Sequence, residues 1–329
     1  MVHSGGWTAR VGKAIVDFMR KRLLTLVMIS LALAVALALG GCSMTQVKQT
    51  VRTVGQIAKK TYYDTQTASS IHVGDISVSY KVFGSGDPLV MITGYSTTKD
   101  TWEPNFLQAL ASKCKVVVFD NRGMGDTTAG TKPFTIDQFG DDTAGLIEAL
   151  GFGKANVLGW SIGGDIALSL VVNHPDKVIK LVSYAGDCGG TQKIDAPKYK
   201  NILKSLQDVN AKAKYLLAAL YPGWYMEANP DYAAQFPWPR ELSSLDNIQK
   251  QNEAYETWAG VYDQLPSISR PVLVSGGNLD VSTPWANAPI LYNRIPGAQV
   301  AEFKGAGHGL QYMYPYDYAY QIMQFLSSK

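Results

Sequence analysis

Glycines 159 and 163 flank Trp160-Ser161-Ile162 in the stretch VLGWSIGGDIAL. A serine hydroxyl is a weak nucleophile at neutral pH. It becomes a useful one when a general base takes its proton and when nothing crowds its oxygen. G-x-S-x-G meets the second condition when the serine sits on a tight turn from strand to helix, because glycines two before and two after leave no side chain to clash. The pentapeptide alone decides little. With 31 Gly in 329 residues, chance produces it about 0.2 times per chain, so its setting must decide.

The search for a base is short, because the chain has four histidines. His3 lies in an N-terminal segment with targeting character. His72 falls on the first strand of the sequence. His174, in NHPDK, stands at the far end of the helix that begins after Ser161, roughly 20 Å away at 1.5 Å per residue. His308 remains, in KGAGHGLQY, where Gly305, Gly307 and Gly309 let a loop bend over a sheet edge. An acid must orient that imidazole and stabilise its cation. Asp280, in SGGNLDVSTP, is the first choice because it precedes His308 by one strand. Asp187, in YAGDCGG, is the alternative, since its loop emerges at the same edge.

These residues need elements to position them. PLVMIT (88–93), KVVVFD (115–120), ANVLGW (155–160), VIKLVSYAG (178–186), PVLVSGG (271–277) and AQVAEF (298–303) are short, nearly continuous apolar runs. That is the pattern of strands buried on both faces of a parallel sheet. Helical apolar spacing occupies 103–112, 136–150, 162–174, 284–293 and 316–327, so strands and helices alternate as right-handed βαβ units. ISVSYKVF (76–83) alternates like a half-exposed strand. The leading segment 70–83, joined through GSGDP, reads as an antiparallel start. Alternation stops at about 189–266, which is helix-prone (YKNILKSLQDV, AKYLLAALY) with aromatic and proline punctuation, and reads as an insertion over one end of the sheet. Ser161 falls on the turn between a buried strand and a helix whose N-terminus favours a developing oxyanion.

The order Ser161, Asp280, His308 on this α/β pattern resembles the α/β-hydrolase fold from about residue 70 to 329: a mostly parallel central sheet with helices on both faces and a helical cap insertion. ITGYSTTKDTW (92–102) resembles that family's oxyanion loop, with Thr93 where a His is usual. FDNRGMGDTT (119–128) matches its Asp-x-Arg-Gly-x-Gly turn, in which Asp120 and Arg122 are expected to be structural. The resemblance implies that the backbone N–H groups of Tyr95 and Ile162 form the oxyanion hole. It implies a serine hydrolase that cleaves an ester or related acyl bond of a small, partly apolar substrate through an acyl-enzyme. A carboxylesterase or lipase-like activity leads. A lactonase, a thioesterase, a proline-iminopeptidase-like amidase and a non-catalytic binding member are the alternatives. Serine rather than aspartate at 161 speaks against dehalogenases and epoxide hydrolases, and the lack of proline after Tyr95 against perhydrolase-like members. The insertion resembles the family's cap. Its Tyr221, Trp224, Tyr225, Phe236, Trp238 and Trp258 either line an acyl pocket or hold the cap together, and Met124 and Trp160 carry the same ambiguity. No cofactor is expected: no His/Cys cluster has metal-ligand spacing, and no phosphate-cradling glycine motif follows a strand.

At the N-terminus, Arg20-Lys21-Arg22 precedes the uncharged run Leu23 to Leu39, then Gly40-Gly41-Cys42. A basic region, an apolar core and small residues before a cut site read as an export signal. This one looks like a bacterial lipoprotein signal (1–41), with Cys42 acylated and residues 42–69 a polar tether. The expected location is the membrane of a bacterial cell envelope. An uncleaved anchor is the alternative, the run being nearly long enough to span a bilayer. Met19, just ahead of the basic cluster, is an alternative start. Residues 1–41 hold five basic side chains (Arg10, Lys13, Arg20, Lys21, Arg22) and one acid (Asp17). A chain beginning at Cys42 therefore has a net charge of −1, against +3 for the whole. No nucleic-acid partner follows from that charge. Cys114 and Cys188 fall at opposite strand ends, too far apart for a bridge that needs Cα atoms within about 7 Å, and are read as free thiols.

Overall fold

Runs of Val, Ile and Leu too short for helices collect into one eight-stranded sheet in the computed structural model, which describes residues 66–197, 199 and 209–328. In chain order the strands are β1 (Ser69–Val73), β2 (Ile76–Phe83), β3 (Asp87–Ile92), β4 (Cys114–Phe119), β5 (Ala155–Trp160), β6 (Val178–Tyr184), β7 (Val272–Gly277) and β8 (Gln299–Phe303). Across the sheet the order is β1-β2-β4-β3-β5-β6-β7-β8. The β1–β2 and β2–β4 pairs are antiparallel and every other pair is parallel. β5 and β7 are buried along their whole length, as continuous apolar strands must be when helices cover both faces.

Two expectations change. The turn of the antiparallel start is Gly74-Asp75, with Gly74 at φ 56°, whereas GSGDP carries the chain onward from β2 to β3. AQVAEF, read as buried, is the edge strand β8, with Val300 half exposed.

The helices that flank the sheet are α1 (Pro104–Ala111), α2 (Ile136–Ala149) and α3 (Ile162–Asn173). Thr135 caps α2 by accepting the Gln138 N–H at 2.9 Å. Helix α3 is buried from Ile162 to Val171, because the sheet lies on one side of it and α2 on the other. Between β6 and β7 the described chain is helical: α4 (Val209–Leu220), α5 (Gly223–Ala228), α6 (Tyr232–Gln235) and α7 (Leu245–Thr257). The helix-prone stretch 199–209 lies almost wholly outside the described residues. Then come α8 (Asn287–Arg294), α9 (Leu310–Met313) and α10 (Pro315–Ser327).

The turn after β4 carries two buried ion clusters. Arg122 is 1% exposed; its guanidinium grips Asp142 (2.8 and 2.7 Å) and Asp75 (3.0 and 2.7 Å) and donates to Ala129 O. Asp120 accepts both the backbone N–H of Lys99 (2.6 Å) and its ammonium (2.8 Å). Burial opposes the Lys99 charge, yet the Asp120 carboxylate outweighs it and holds the Lys99 pKa above the ordinary lysine range. Both clusters fasten loops at the carboxyl edge of the parallel strands, the edge where ligands bind in such sheets.

Candidate active site

Ser161 joins β5 to α3 with φ 58° and ψ −128°, one of three non-glycine residues at positive φ among the described residues. Such a conformation costs of order 1–3 kcal/mol and is kept only where the surroundings force it. Here they do. A Cβ on Gly159 would overlap the Gly163 carbonyl, and one on Gly163 would overlap the Ile92 carbonyl on β3. The backbone is pinned as well: Ser161 N–H donates to Tyr184 O at 2.8 Å, and Ser161 O accepts from Gly164 N–H at 2.7 Å. The hydroxyl does not cap the helix that follows it. Ile162 opens α3, so its N–H is among the four that an α-helix leaves without an intrahelical partner.

His308 is 6% exposed, and its Nδ1 lies 2.7 Å from Asp280 Oδ2. The other carboxylate oxygen, Oδ1, accepts the N–H groups of Ser282 (2.8 Å) and Thr283 (2.9 Å), so Asp280 is fixed at both ends. His308 O accepts from Trp160 Nε1 (3.1 Å) and from the Tyr184 hydroxyl (2.9 Å). The Trp160 ring lies 5.6 Å from the imidazole, so the residue preceding Ser161 packs directly on His308. Gly309 N–H donates to Leu220 O at the end of α4 (2.8 Å), tying the histidine loop to the insertion. Asp187 is engaged elsewhere: its oxygens accept from Gly189 N–H (2.8 Å) and the Tyr255 hydroxyl (3.2 Å). His174 pairs with Asp141 at 2.7 Å, and His72 faces Ser77 across β1 and β2.

The turn bearing Tyr95 lies against the elbow, since a Cβ on Gly94 would stand 3.3 Å from Ser161 Cβ. Ser96 follows at φ 56°, and its N–H donates to Gln251 Oε1 on α7 at 2.8 Å. Thr93, in the place of a usual histidine, is fully buried. Asn121 Nδ2 supports its carbonyl and its hydroxyl, both at 3.3 Å. The sequence does not single out Asn121 or Gln251.

The family model for the alpha/beta hydrolase fold matches residues 87–313. The chain belongs to this family. Among relatives, this α/β-hydrolase is 30% identical over 247 residues to RutD of Caulobacter sp. strain K31, which bears the name of a carbamate hydrolase; the match covers 73% of this chain and 91% of RutD. It is 31% identical over 245 residues to BpoC of Mycobacterium tuberculosis, named for a non-heme bromoperoxidase, over 71% of this chain and 91% of BpoC. Among solved structures, the enol-lactonase of Burkholderia xenovorans LB400 superposes with a TM-score of 0.69 at 23% identity, covering 79% of this chain and all of that one.

In this α/β-hydrolase the aromatic side chains of the insertion pack largely on one another and on Tyr312 of α9. Tyr221 stacks on Tyr225 (5.3 Å) and meets Tyr312 (6.1 Å); Phe236 meets Trp238 (5.0 Å) and Tyr312 (5.2 Å). Tyr312 in turn meets Trp160 edge-on at 5.9 Å, so an aromatic path runs from the residue beside Ser161 into the insertion. Trp224 and Trp238 keep about half their surface exposed. Met124 is fully buried. Cys114 and Cys188 are free and buried; burial, reinforced by the charge of Asp187, pushes the Cys188 thiol up to about 12. Among the described residues no group of His, Cys, Asp and Glu could hold a metal, and no helix is long and apolar enough to cross a membrane. Residues 1–65, with Cys42 and the proposed signal and tether, lie outside the described residues apart from the last few tether positions, where β1 already begins.

Proposed function

We propose that the protein is a serine hydrolase that cleaves an ester or a related acyl bond of a small, partly apolar substrate, with Ser161 as nucleophile, His308 as base and Asp280 as orienting acid. The observation that carries this reading is the 2.7 Å contact of His308 Nδ1 with a doubly anchored Asp280 carboxylate, one packing layer from a strained serine elbow. A carboxylate on Nδ1 keeps the proton there and leaves Nε2 to accept.

His308 Nε2 takes the Ser161 proton while Oγ attacks the substrate carbonyl. The negative oxygen is held by the N–H groups of Tyr95 and Ile162, each worth about 3–4 kcal/mol in such sites. The alkoxide leaves with the proton from His308, giving an acyl-enzyme. Water then gives His308 a proton and attacks the acyl carbon; the acyl–Oγ bond breaks, His308 returns the proton to Ser161 Oγ, and the acid is released.

Lactones and carbamates form a second reading, favoured by the names of RutD and of the enol-lactonase. Purified protein treated with a fluorophosphonate probe should label at Ser161, and Ser161→Ala should not. Absence of labelling in the wild type, or equal labelling of the variant, overturns the reading. A panel of p-nitrophenyl esters of rising chain length, lactones and aryl carbamates then ranks the substrate classes by kcat/KM.

We also propose that Cys42 carries a lipid that holds the protein to the bacterial envelope. Cys42→Ser should then move it to the soluble fraction. Retention of the variant in membranes would favour an uncleaved helix instead.

A further inference from the structure

We infer that Gln251 is a positioning residue that sets the oxyanion loop from the insertion side. The inference rests on the serine hydrolase reading for its catalytic consequence, but not for its structural one.

Helix α7 lies over the carboxyl edge of the sheet and touches it through residues four apart. Asn247 Nδ2 donates to Gly123 O at 2.9 Å, Gln251 Oε1 accepts from Ser96 N–H at 2.8 Å, and the Tyr255 hydroxyl donates to Asp187 Oδ2 at 3.2 Å. Spacing of i, i+4 and i+8 puts the three side chains on one helix face. Each reaches a different loop: the turn after β4, the loop after β3 and the loop after β6. Of these, only the loop after β3 carries an oxyanion donor.

The Gln251 contact has two features that the others lack. Its partner is a peptide under strain, because Ser96 sits at φ 56°, where a residue other than glycine stays only if held. The held N–H belongs to the Tyr95–Ser96 peptide, which is joined through the Tyr95 Cα to the Gly94–Tyr95 peptide, so its rotation also reorients the turn that presents Tyr95 N–H. Second, the amide is committed. The partner is an N–H donor, so the oxygen must face it, and Nε2 turns away into the interior. Gln251 has no exposed surface, and among the described residues Nε2 has no hydrogen-bond partner. A buried donor left unpaired opposes folding, so the side chain is held at this place for the acceptor it offers Ser96. Seating of α7 and shaping of the oxyanion hole are thereby one event.

The test compares Gln251→Met, which keeps length and volume but has no acceptor of comparable strength, with Gln251→Glu, which keeps an oxygen facing Ser96, and with Asn247→Ala, which cuts a different contact of the same helix. Hydrogen exchange is read on a peptide spanning 93–98, alongside kcat, KM and affinity for an alkyl boronic acid, whose tetrahedral serine adduct mimics the oxyanion. In Gln251→Met the peptide should exchange faster. There kcat and boronate affinity should fall together, by about 10–100-fold, less than the loss of a whole oxyanion donor, with KM nearly unchanged. Gln251→Glu should retain the slow exchange, and Asn247→Ala should resemble wild type in every readout. Unchanged exchange in Gln251→Met, or equal exchange and kcat losses in Asn247→Ala, overturns the inference. A KM effect without a kcat effect overturns it too, since that marks a pocket wall. If the wild type binds neither boronate nor fluorophosphonate but Gln251→Met still frees the loop, the hydrolase reading fails while the structural assignment stands.

Discussion

Trp160 and His308 are joined twice: the indole N–H donates to the His308 carbonyl at 3.1 Å, and the two rings lie 5.6 Å apart. The nucleophile elbow and the base loop lie 148 residues apart in sequence, and this contact registers one on the other. Trp160→Phe keeps a ring there and removes the donor. A net hydrogen bond of this kind is worth about 1 kcal/mol, and the Tyr184 hydroxyl still serves the carbonyl. The expected result is a drop in kcat of about 3–10-fold from looser registration with KM little changed, read in an ester assay beside a denaturation curve.

Two aspartates compete for the third catalytic role, and their variants should separate cleanly. Asp280→Asn keeps an acceptor for Ser282 and Thr283 but disfavours the His308 tautomer that leaves Nε2 free. It should lower kcat by about 10³–10⁴-fold. Asp187→Asn should stay within about threefold of wild type. The reverse ranking would transfer the role to Asp187.

Glycine suits the backbone of residue 161 better than serine does, since φ 58° with ψ −128° is glycine territory. Ser161→Gly should be inactive yet more stable than Ser161→Ala by about 1–2 kcal/mol, the strain released at the elbow. Urea melts of the two variants measure it, and equal midpoints would show that the elbow stores no such strain.

Asp165, on α3, is 1% exposed, and its Oδ1 accepts the Asp187 N–H at 2.8 Å. Burial, then the Asp187 charge, raise its pKa well above the ordinary 3.8. The folded protein therefore keeps a proton there that the unfolded chain releases above about pH 4. Stability from this site is present below that pH and is lost as pH rises toward the folded pKa. Asp165→Asn, which accepts the same N–H without ionising, should flatten that fall, so its advantage over wild type grows from pH 5 to pH 8 in denaturant titrations. An equal offset at both pH values would mean that Asp165 does not titrate in this range.

Most of the sheet and the site was legible because local rules fix them. A run such as ANVLGW has one buried solution, and Ser161 and His308 stand out through glycine spacing and a scarcity of histidines. What escaped depends on distant neighbours. AQVAEF has the composition of a buried strand, but β8 has no further strand beside it, and nothing within the five residues records that. In sequence the preference for Asp280 over Asp187 as the partner of His308 rests on chain order alone; its basis in space is the direction in which two similar loops turn. Asn121 holds the carbonyl and hydroxyl of Thr93, yet in sequence it is one polar residue inside a turn motif. Gln251 sits in a polar helix, and its only local mark is the four-residue step it shares with Asn247 and Tyr255.

The bond from Gly309 N–H to Leu220 O bears on how such chains can diverge or be engineered. It makes the last turn of α4 a fixture of the loop that carries His308, so residues 189–266 are not an exchangeable accessory clipped onto a finished enzyme. A chimera that imports a foreign segment here must reproduce a carbonyl at that point, or it will alter turnover even when its new walls fit the substrate. The insertion and the histidine loop are coupled through one backbone oxygen.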